Sequence, residues 1–264
     1  MGWSRFFIAT DDPGKPPPPG WVRAANFTVA GLAISLVFTF SFGHLAYHLN
    51  WTAIGPYWQM FLQGWLVTIL LSATALVLST LIGVLLALGR RSRVLVLRYF
   101  CKIYVELARG TPLLVQILIF FYVVAYALDV KNRYVVGVLT LSCFSGAYIA
   151  EIVRAGIESV GKSQLESANA IGLTRAQTYR YVIFPQALRQ TLPPLSGQFA
   201  SLIKDSSLLS IISINELTFN AQSVNAFTFR TLESYLPLAA GYLILTLPIS
   251  LWTQHLERRH KFET

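Results

Sequence analysis

The amino-acid sequence predicts an all-α, polytopic membrane protein with about six transmembrane helices. Of the 264 residues, 54% are hydrophobic and only 12% are charged, whereas charged residues make up roughly 25% of an ordinary soluble domain. The apolar residues are also gathered into long runs. A helix needs roughly 20 such residues to cross a hydrocarbon core about 30 Å thick, and the runs meet that requirement. A soluble fold therefore does not fit this composition.

Six apolar runs follow one another along the chain. The first, 24–46, comes after a Pro-rich segment, 1–23, that has too few apolar residues to bury and is predicted to be a disordered tail. This run is too long and too far from the N-terminus for a signal peptide, so we expect a retained N-terminal helix within 24–50. The other predicted spans are 62–88, 111–128, 134–153, 191–214 and 235–252, and a short tail, 257–264, follows them.

The placement of the basic residues predicts the topology. The net charge is +9, and the excess lies in four places: ahead of the first span, after the second, around the connector between the fourth and fifth, and at the C-terminus. By the positive-inside rule these parts face the cytoplasm, which places both termini there. The same placement beside the anionic inner leaflet explains the charge, so membrane lipid is an expected partner and nucleic acid is not.

The connector after the fourth span contains a formal match to the phosphate-binding P-loop, Gly156-Ile-Glu-Ser-Val-Gly161-Lys162-Ser163. A working P-loop needs a buried strand before its first glycine. Here the preceding segment is a predicted membrane helix, in which Glu151 and Arg154 stand three residues apart and can form a local pair. We therefore interpret the match as accidental and predict that the chain is not an enzyme.

The same connector predicts two short helices outside the bilayer. Residues 163–170 form the first, with Ser163 as its cap and Glu166 completing a capping box. Gly172 suits the left-handed conformation that ends a helix. The second helix runs from Thr174 towards Phe184, and Pro185 is expected to stop it.

This pattern resembles the cytoplasmic coupling loop of ABC-transporter permeases, whose consensus is Glu-Ala-Ala, three residues, Gly, nine residues, Ile, one residue and Leu-Pro. The residues that fall on it are Glu166, Ser167, Ala168, Gly172, Val182, Phe184 and Pro185, and Gln164 lies just before it. Segments 104–116, 147–157, 182–187 and 192–208 resemble one subgroup, the uptake systems for polar amino acids such as histidine, glutamate, glutamine and arginine.

The resemblance implies a five-helix permease domain at 58–256 with its coupling loop at 158–187, to which this chain adds the N-terminal helix. It also implies a pore subunit in a bacterial inner membrane. The implied partners are a second permease subunit, identical or homologous, an ABC ATPase, an extracytoplasmic binding protein and the amino-acid substrate. ATP and Mg²⁺ belong on the ATPase, so no cofactor or metal is expected on this chain.

Ionisable and polar groups at membrane depth are the candidates for the pore or its gate, because a charge placed there costs about 2.5–3.5 kcal/mol without a partner or water. They are Glu106, Arg109, Gln116, Lys204, Asp205, Ser206 and Ser207. For Lys204 with Asp205 and for Glu106 with Arg109, a purely structural role stays open. An autonomous secondary transporter or channel for small polar solutes is the alternative function.

Overall fold

The computed structural model describes residues 19–44 and 47–260, and for 256–260 it describes the backbone alone. Most of the predicted N-terminal tail, residues 1–18, and the last four residues lie outside the described part. The chain divides into two compact units, Met1–Leu49 and Asn50–Thr264. The described residues contain helices and turns but no strand, as the sequence predicted.

The first unit contains a single described helix, α1, Gly20–Gly43. It has 24 residues, and its most apolar stretch is exposed. The large apolar side chains from Phe27 to Phe42 are exposed, as a helix surrounded by lipid requires. α1 begins four residues before the predicted start at residue 24.

The second unit is a bundle of helices. Its α-helices are α2 (Trp58–Gly89), α3 (Leu95–Gly110), α4 (Leu113–Ile119), α5 (Ala125–Ala127), α6 (Arg133–Glu158), α7 (Lys162–Ala170), α8 (Arg175–Thr178), α9 (Phe184–Asp205), α10 (Leu217–Thr228) and α11 (Thr231–His260). A π-helical turn, Phe120–Val124, joins α4 to α5, and another, Tyr179–Ile183, joins α8 to α9. A 3₁₀ turn, Ser206–Ile212, follows α9.

Four of the described helices are long and apolar enough to cross a membrane, and a bent pair makes up to five. The bent pair is α3 with the α4–α5 helix, which meet at an angle of 111°. Sequence reasoning placed the third span at 111–128 and treated the residues before it as a basic connector, so it missed α3. The bend falls at Thr111, whose backbone is extended because Pro112 follows it.

The predicted span 191–214 differs most from the structure. Its helix, α9, begins at Phe184, ends at Asp205 and continues as the 3₁₀ turn. α9 is about 33 Å long at 1.5 Å per residue, yet it is not among the helices that are apolar enough to be recognised as spans. Its glutamines, serines, Lys204 and Asp205 lower its hydropathy, and such a helix needs polar surroundings within the membrane. The short helix α10 was not predicted.

The core lies where α2, α4, α6 and α9 meet the 3₁₀ turn, and its buried residues include Leu71, Ile117, Leu141, Leu202 and Leu209. α2 and α6 pack closely through glycines. A Cβ on Gly83 would lie 2.5 Å from Ile149 Cγ2, and one on Gly146 would lie 2.8 Å from Ile82 Cγ2. Small residues at such crossings let membrane helices approach. At the C-terminus, α11 continues to His260, into the region expected as a tail.

Candidate functional site

The polar connector begins where α6 crosses α9. Gly156 lies two residues before the end of α6 and faces α9: a Cβ built on it would lie 2.3 Å from Thr191 Cγ2 and 3.1 Å from the carbonyl oxygen of Ala187. Only a glycine fits without displacing its neighbours. The start of the connector is therefore fixed against α9.

α7 is a short helix of nine residues, and its side chains are exposed except at two positions. Ala168 is buried and Leu165 is half-buried, whereas Gln164, Glu166 and Ser167 are exposed. Gly172 follows the helix with a φ of +79°, a left-handed conformation that glycine adopts without steric cost. The predicted conformation of Gly172 is confirmed.

The predicted N-terminal cap of the first connector helix was wrong. α7 begins at Lys162 with Gly161 at its N-cap, and no side chain caps it. Because the N-cap is Gly161, two residues before the predicted cap, Ser163 lies within the first turn, where its side chain cannot cap. A capping box does form at α8: Gln177 N–H donates to Thr174 Oγ1 at 3.3 Å, and Thr174 N–H donates to Gln177 Oε1 at 2.9 Å.

Pro185 does not stop the second helix, contrary to the prediction. The chain runs from α8 through the π-turn Tyr179–Ile183 into α9, and Pro185 lies in the first turn of α9. Proline is tolerated there because the wider π-turn before it accommodates the ring and the missing N–H. Next to it, Gln186 Nε2 donates a hydrogen bond to Gln164 Oε1, so a side chain of α7 is joined directly to α9.

Ile171 is a feature of the connector that sequence reasoning missed. Its side chain is 76% exposed and it follows α7 directly, before Gly172. An exposed aliphatic side chain beside a polar helix is available for burial in the apolar core of an interface with a partner. The signal was available in the sequence as a lone large apolar residue between Ala170 and Gly172.

Glu151 is the centre of a network of ion pairs at the same end of the bundle as α7. Arg90 Nη1 lies 2.7 Å and Arg109 Nη1 lies 3.6 Å from its Oε2, and Arg154 pairs with its other oxygen. Arg154 also pairs with Glu158. The sequence predicted the local pair with Arg154 but not the arginines of other helices. The network ties together the ends of α2, α3 and α6.

Several pore candidates lie at the bend between α3 and α4. Gln116 Nε2 donates to the carbonyl oxygen of Ala108 at 2.7 Å and to Thr111 Oγ1 at 2.7 Å, so its amide holds the bend. Arg109 stacks over the ring of Tyr148 at 5.5 Å, besides its contact with Glu151. Glu106 is exposed. These contacts place Gln116 and Arg109 in the framework of the bend.

The other pore candidates are at the end of α9. Lys204 is exposed, Asp205 is half-buried, and neither takes part in an ion pair within the described residues. Ser206 is buried and donates to the carbonyl oxygen of Ile203, while Ser207 is half-buried. No group of three His, Cys, Asp or Glu able to hold a metal occurs in the described ranges.

A buried carboxylate near this end, Glu216, was also missed. It is fully buried and caps α10, accepting hydrogen bonds from the N–H groups of Thr218 and Phe219 at 2.8 and 2.7 Å. Tyr242 Oη of α11 donates to it at 2.9 Å. Its partners account for its burial, so the structure assigns it to the framework. An acidic residue just before the apolar pair Leu217 and Phe219 was the sequence signal for this cap.

The family model for binding-protein-dependent transport system inner membrane components matches residues 79–262. The chain belongs to this family. Among curated members, the glutamine transport system permease protein GlnP of Escherichia coli K12 is 37% identical over 214 residues, which cover 80% of this chain and 98% of that protein. The L-cystine transport system permease protein TcyB of Bacillus subtilis is 39% identical over 204 residues, 77% of this chain and 87% of that one.

Chains in solved structures of ABC transporters share the fold. The crystal structure of an amino acid ABC transporter with histidines has a chain that is 34% identical, with a TM-score of 0.75 over 81% of this chain and 100% of that chain. The inward-facing MetNI methionine ABC transporter gives a TM-score of 0.64 at 16% identity, over 78% of this chain and 98% of that chain. The chain is thus an inner-membrane permease subunit of the ABC-transporter type.

Proposed function

We propose that this permease subunit forms half of the pore of an ATP-driven importer for polar amino acids. Its partners are a second permease subunit, an ABC ATPase and an extracytoplasmic binding protein. The observation that carries the proposal is the 34–37% identity, over about four fifths of the chain, to permeases of amino-acid ABC transporters. The positive-inside distribution supports an arrangement with both termini in the cytoplasm.

The docking surface for the ATPase is the exposed side of α7 with the residue after it. Ser167 adds little bulk, Glu166 offers a free carboxylate and Ile171 offers an aliphatic anchor. A short helix with one apolar anchor fits a groove on a partner, where the anchor is buried and the polar groups set the orientation. Buried Ala168 holds the opposite side of α7 against the rest of the connector.

Movement of the docked helix reaches α9 through two contacts. The hydrogen bond between Gln164 and Gln186 joins α7 to the first turn of α9. At Gly156, α6 packs closely against the following turn of α9, beside Thr191. If ATP binding by the partner favours one position of α7, these contacts shift the population of α9 positions in the same sense. Pro185, at the junction with the π-turn, is where α9 can bend.

ATP and Mg²⁺ are bound and hydrolysed on the partner, and the P-loop match in this chain is accidental. Three of its residues, 156–158, belong to the end of α6, and Gly156 faces α9 at the crossing. A phosphate cradle needs these backbone N–H groups to curl around an anion, but in a helix the carbonyl oxygens of preceding residues already accept them. Lys162 is then an ordinary basic residue of the cytoplasmic side.

The pore path includes the end of α9. Lys204, Asp205 and Ser207 bring a cation, an anion and a hydroxyl to one helix end, the groups that recognise a zwitterion with its carboxylate and ammonium. The free side chain of Glu106 is a further candidate near the bend. Gln116, Arg109 and Ser206 position the segments that carry these groups.

Charge reversal at Glu166 and polar substitution at Ile171 test the docking proposal. In the full transporter, Glu166→Lys and Ile171→Asp are expected to abolish ATP-driven amino-acid uptake and co-purification of the ATPase, while membrane insertion stays normal. Lys131→Glu is the matched control, because Lys131 is exposed near the opposite end of α6. Reversing its charge changes the net charge by the same amount as Glu166→Lys does. Normal uptake in both docking variants would contradict the assignment of this surface.

The same assay separates the alternatives. Uptake by the chain without any ATPase would favour a secondary transporter or channel. If the isolated chain bound nucleotide and the variant Lys162→Ala did not, the P-loop match would be functional. We expect neither.

A further inference from the structure

The helix missed by sequence reasoning, α3, has three distinct faces. One face packs on the bundle: Cys101, Val105 and Ala108 are buried, and Tyr104 Oη donates to the carbonyl oxygen of Cys143 at 2.9 Å. Val105 and Ala108 belong to a cluster with Ala87 of α2 and Ala147 of α6. α3 therefore lies firmly against the ends of α2 and α6.

A second face of α3 is apolar and uncovered in the described chain. Val96, Phe100, Ile103 and Leu107 recur at helical spacing, and their exposed fractions range from 57% to 79%. The helix is about 24 Å long, so this face is too large to be left in water. Since the chain is an inner-membrane protein, acyl chains are the natural environment of such a face.

The third face is basic. Arg98 and Lys102 lie one turn apart on α3, and Arg91 and Arg93 lie in the turn just before it; all four are exposed. No ion pair of the described residues includes any of them. Arg98 Nε and Nη2 donate to the carbonyl oxygen of Ser92 at 3.1 and 2.9 Å, which folds its guanidinium back towards the basic turn.

This cluster of positive charge has no acidic residue within it. From the start of α2 at Trp58 the first acidic residue is Glu106, which lies one turn beyond Lys102 on the same face. Arg90, the neighbouring arginine, pairs with Glu151, so the four others are the ones left without a carboxylate. A basic face beside an apolar face along one helix is typical of helices that lie in the membrane interface and attract anionic lipid.

We infer that α3 and the turn before it form a binding surface for the headgroups of anionic phospholipids, with Val96, Phe100, Ile103 and Leu107 among the acyl chains. Arg91, Arg93, Arg98 and Lys102 contact the phosphates. An acidic protein partner is a less suitable occupant, because the basic residues border the lipid-facing side of α3 and not α7. The inference is independent of the ATPase-docking proposal.

The test measures binding of phosphatidylglycerol to the detergent-solubilised full transporter, by competition between a fluorescent phosphatidylglycerol and unlabelled lipid. Each basic residue near an anionic surface contributes about fivefold to affinity, so Lys102→Gln is expected to weaken binding about fivefold and the triple variant Arg91→Gln/Arg93→Gln/Lys102→Gln about a hundredfold. Phosphatidylcholine, which has no net charge, is expected to bind equally to all variants.

Two controls keep the result interpretable. Lys131→Gln removes the same charge from an exposed lysine far from α3 and is expected to leave binding unchanged; an equal loss in Lys131→Gln and Lys102→Gln would overturn the inference. The triple variant Arg91→Lys/Arg93→Lys/Arg98→Lys keeps the charges and is expected to retain binding. Unchanged phosphatidylglycerol binding in the triple glutamine variant, with loss of ATPase co-purification, would show that a protein partner occupies this surface.

Discussion

The crossing of α6 and α9 at Gly156 gives a prediction with a magnitude. Replacing Gly156 with alanine puts a Cβ 2.3 Å from Thr191 Cγ2, whereas carbon atoms pack best at about 3.5–4.0 Å. The threonine side chain or the whole helix must move by more than 1 Å, as the difference between the two distances shows. Overpacking of this kind costs about 1–3 kcal/mol.

Gly197→Ala in α9 is the matched control. No atom lies within 4 Å of a Cβ built at Gly197. Gly197 is inside α9 and Gly156 is in the last turn of α6, so each substitution gains at most about 0.5–1 kcal/mol of helix propensity. The difference between the two variants isolates the packing cost. We expect Gly156→Ala to be about 1–3 kcal/mol less stable than Gly197→Ala, a five- to 150-fold difference in the unfolding equilibrium.

Reversible unfolding of the purified chain in mixed detergent micelles, followed by tryptophan fluorescence, measures this difference. Thr191→Ser removes Cγ2 but keeps the hydroxyl, which donates to the carbonyl oxygen of Leu188 at 3.1 Å. The double variant Gly156→Ala/Thr191→Ser should therefore recover most of the lost stability. Equal stability of Gly156→Ala and Gly197→Ala, or no recovery in the double variant, would refute the close crossing.

Three further predictions concern the ion pairs of Glu151, the contact between α7 and α9, and the topology. Glu151→Gln leaves Arg90, Arg109 and Arg154 without their shared carboxylate and should lower the free energy of unfolding by about 1.5–3 kcal/mol in the same assay. Glu158→Gln is the control, because its carboxylate is 53% exposed, and it should cost less than about 1 kcal/mol. Similar costs for the two variants would contradict the central place of Glu151 in the network. Gln186→Ala should leave the ATPase bound but lower the number of amino acids imported per ATP hydrolysed. An unchanged number would show that the Gln164–Gln186 contact does not transmit movement from α7 to α9. Green fluorescent protein fused to either terminus should fluoresce, and an active alkaline phosphatase fusion at either end would refute the predicted topology.

The sequence predicted the helical membrane fold because long apolar runs have few alternatives to membrane helices. α2, α6 and α11 contain the predicted runs 62–88, 134–153 and 235–252. α3 and α9 were missed or displaced for a shared reason: both carry charged and polar residues on one face, so their mean hydropathy is low. Only tertiary packing shows that their other faces lie against the bundle.

The candidate site was predictable where backbone geometry imposes a residue type. Gly172 is an example, since a positive φ favours glycine. The contacts between distant parts of the chain were not predictable: Arg90 is 61 residues from Glu151, and Gln164 is 22 residues from Gln186. The predicted cap at Ser163 was wrong because a helix start can shift by one or two residues at little cost in free energy, which moves the side chain away from the cap position.

Protection of Ile171 by the ATPase tests the central claim most directly, that α7 is the docking helix. Ile171→Cys, in a chain whose buried Cys101 and half-buried Cys143 are replaced by alanine, is expected to react rapidly with a membrane-impermeant maleimide when the permease is alone and slowly when the ATPase is bound. Lys131→Cys should react equally in both states. Equal labelling of Ile171→Cys with and without bound ATPase would contradict the account.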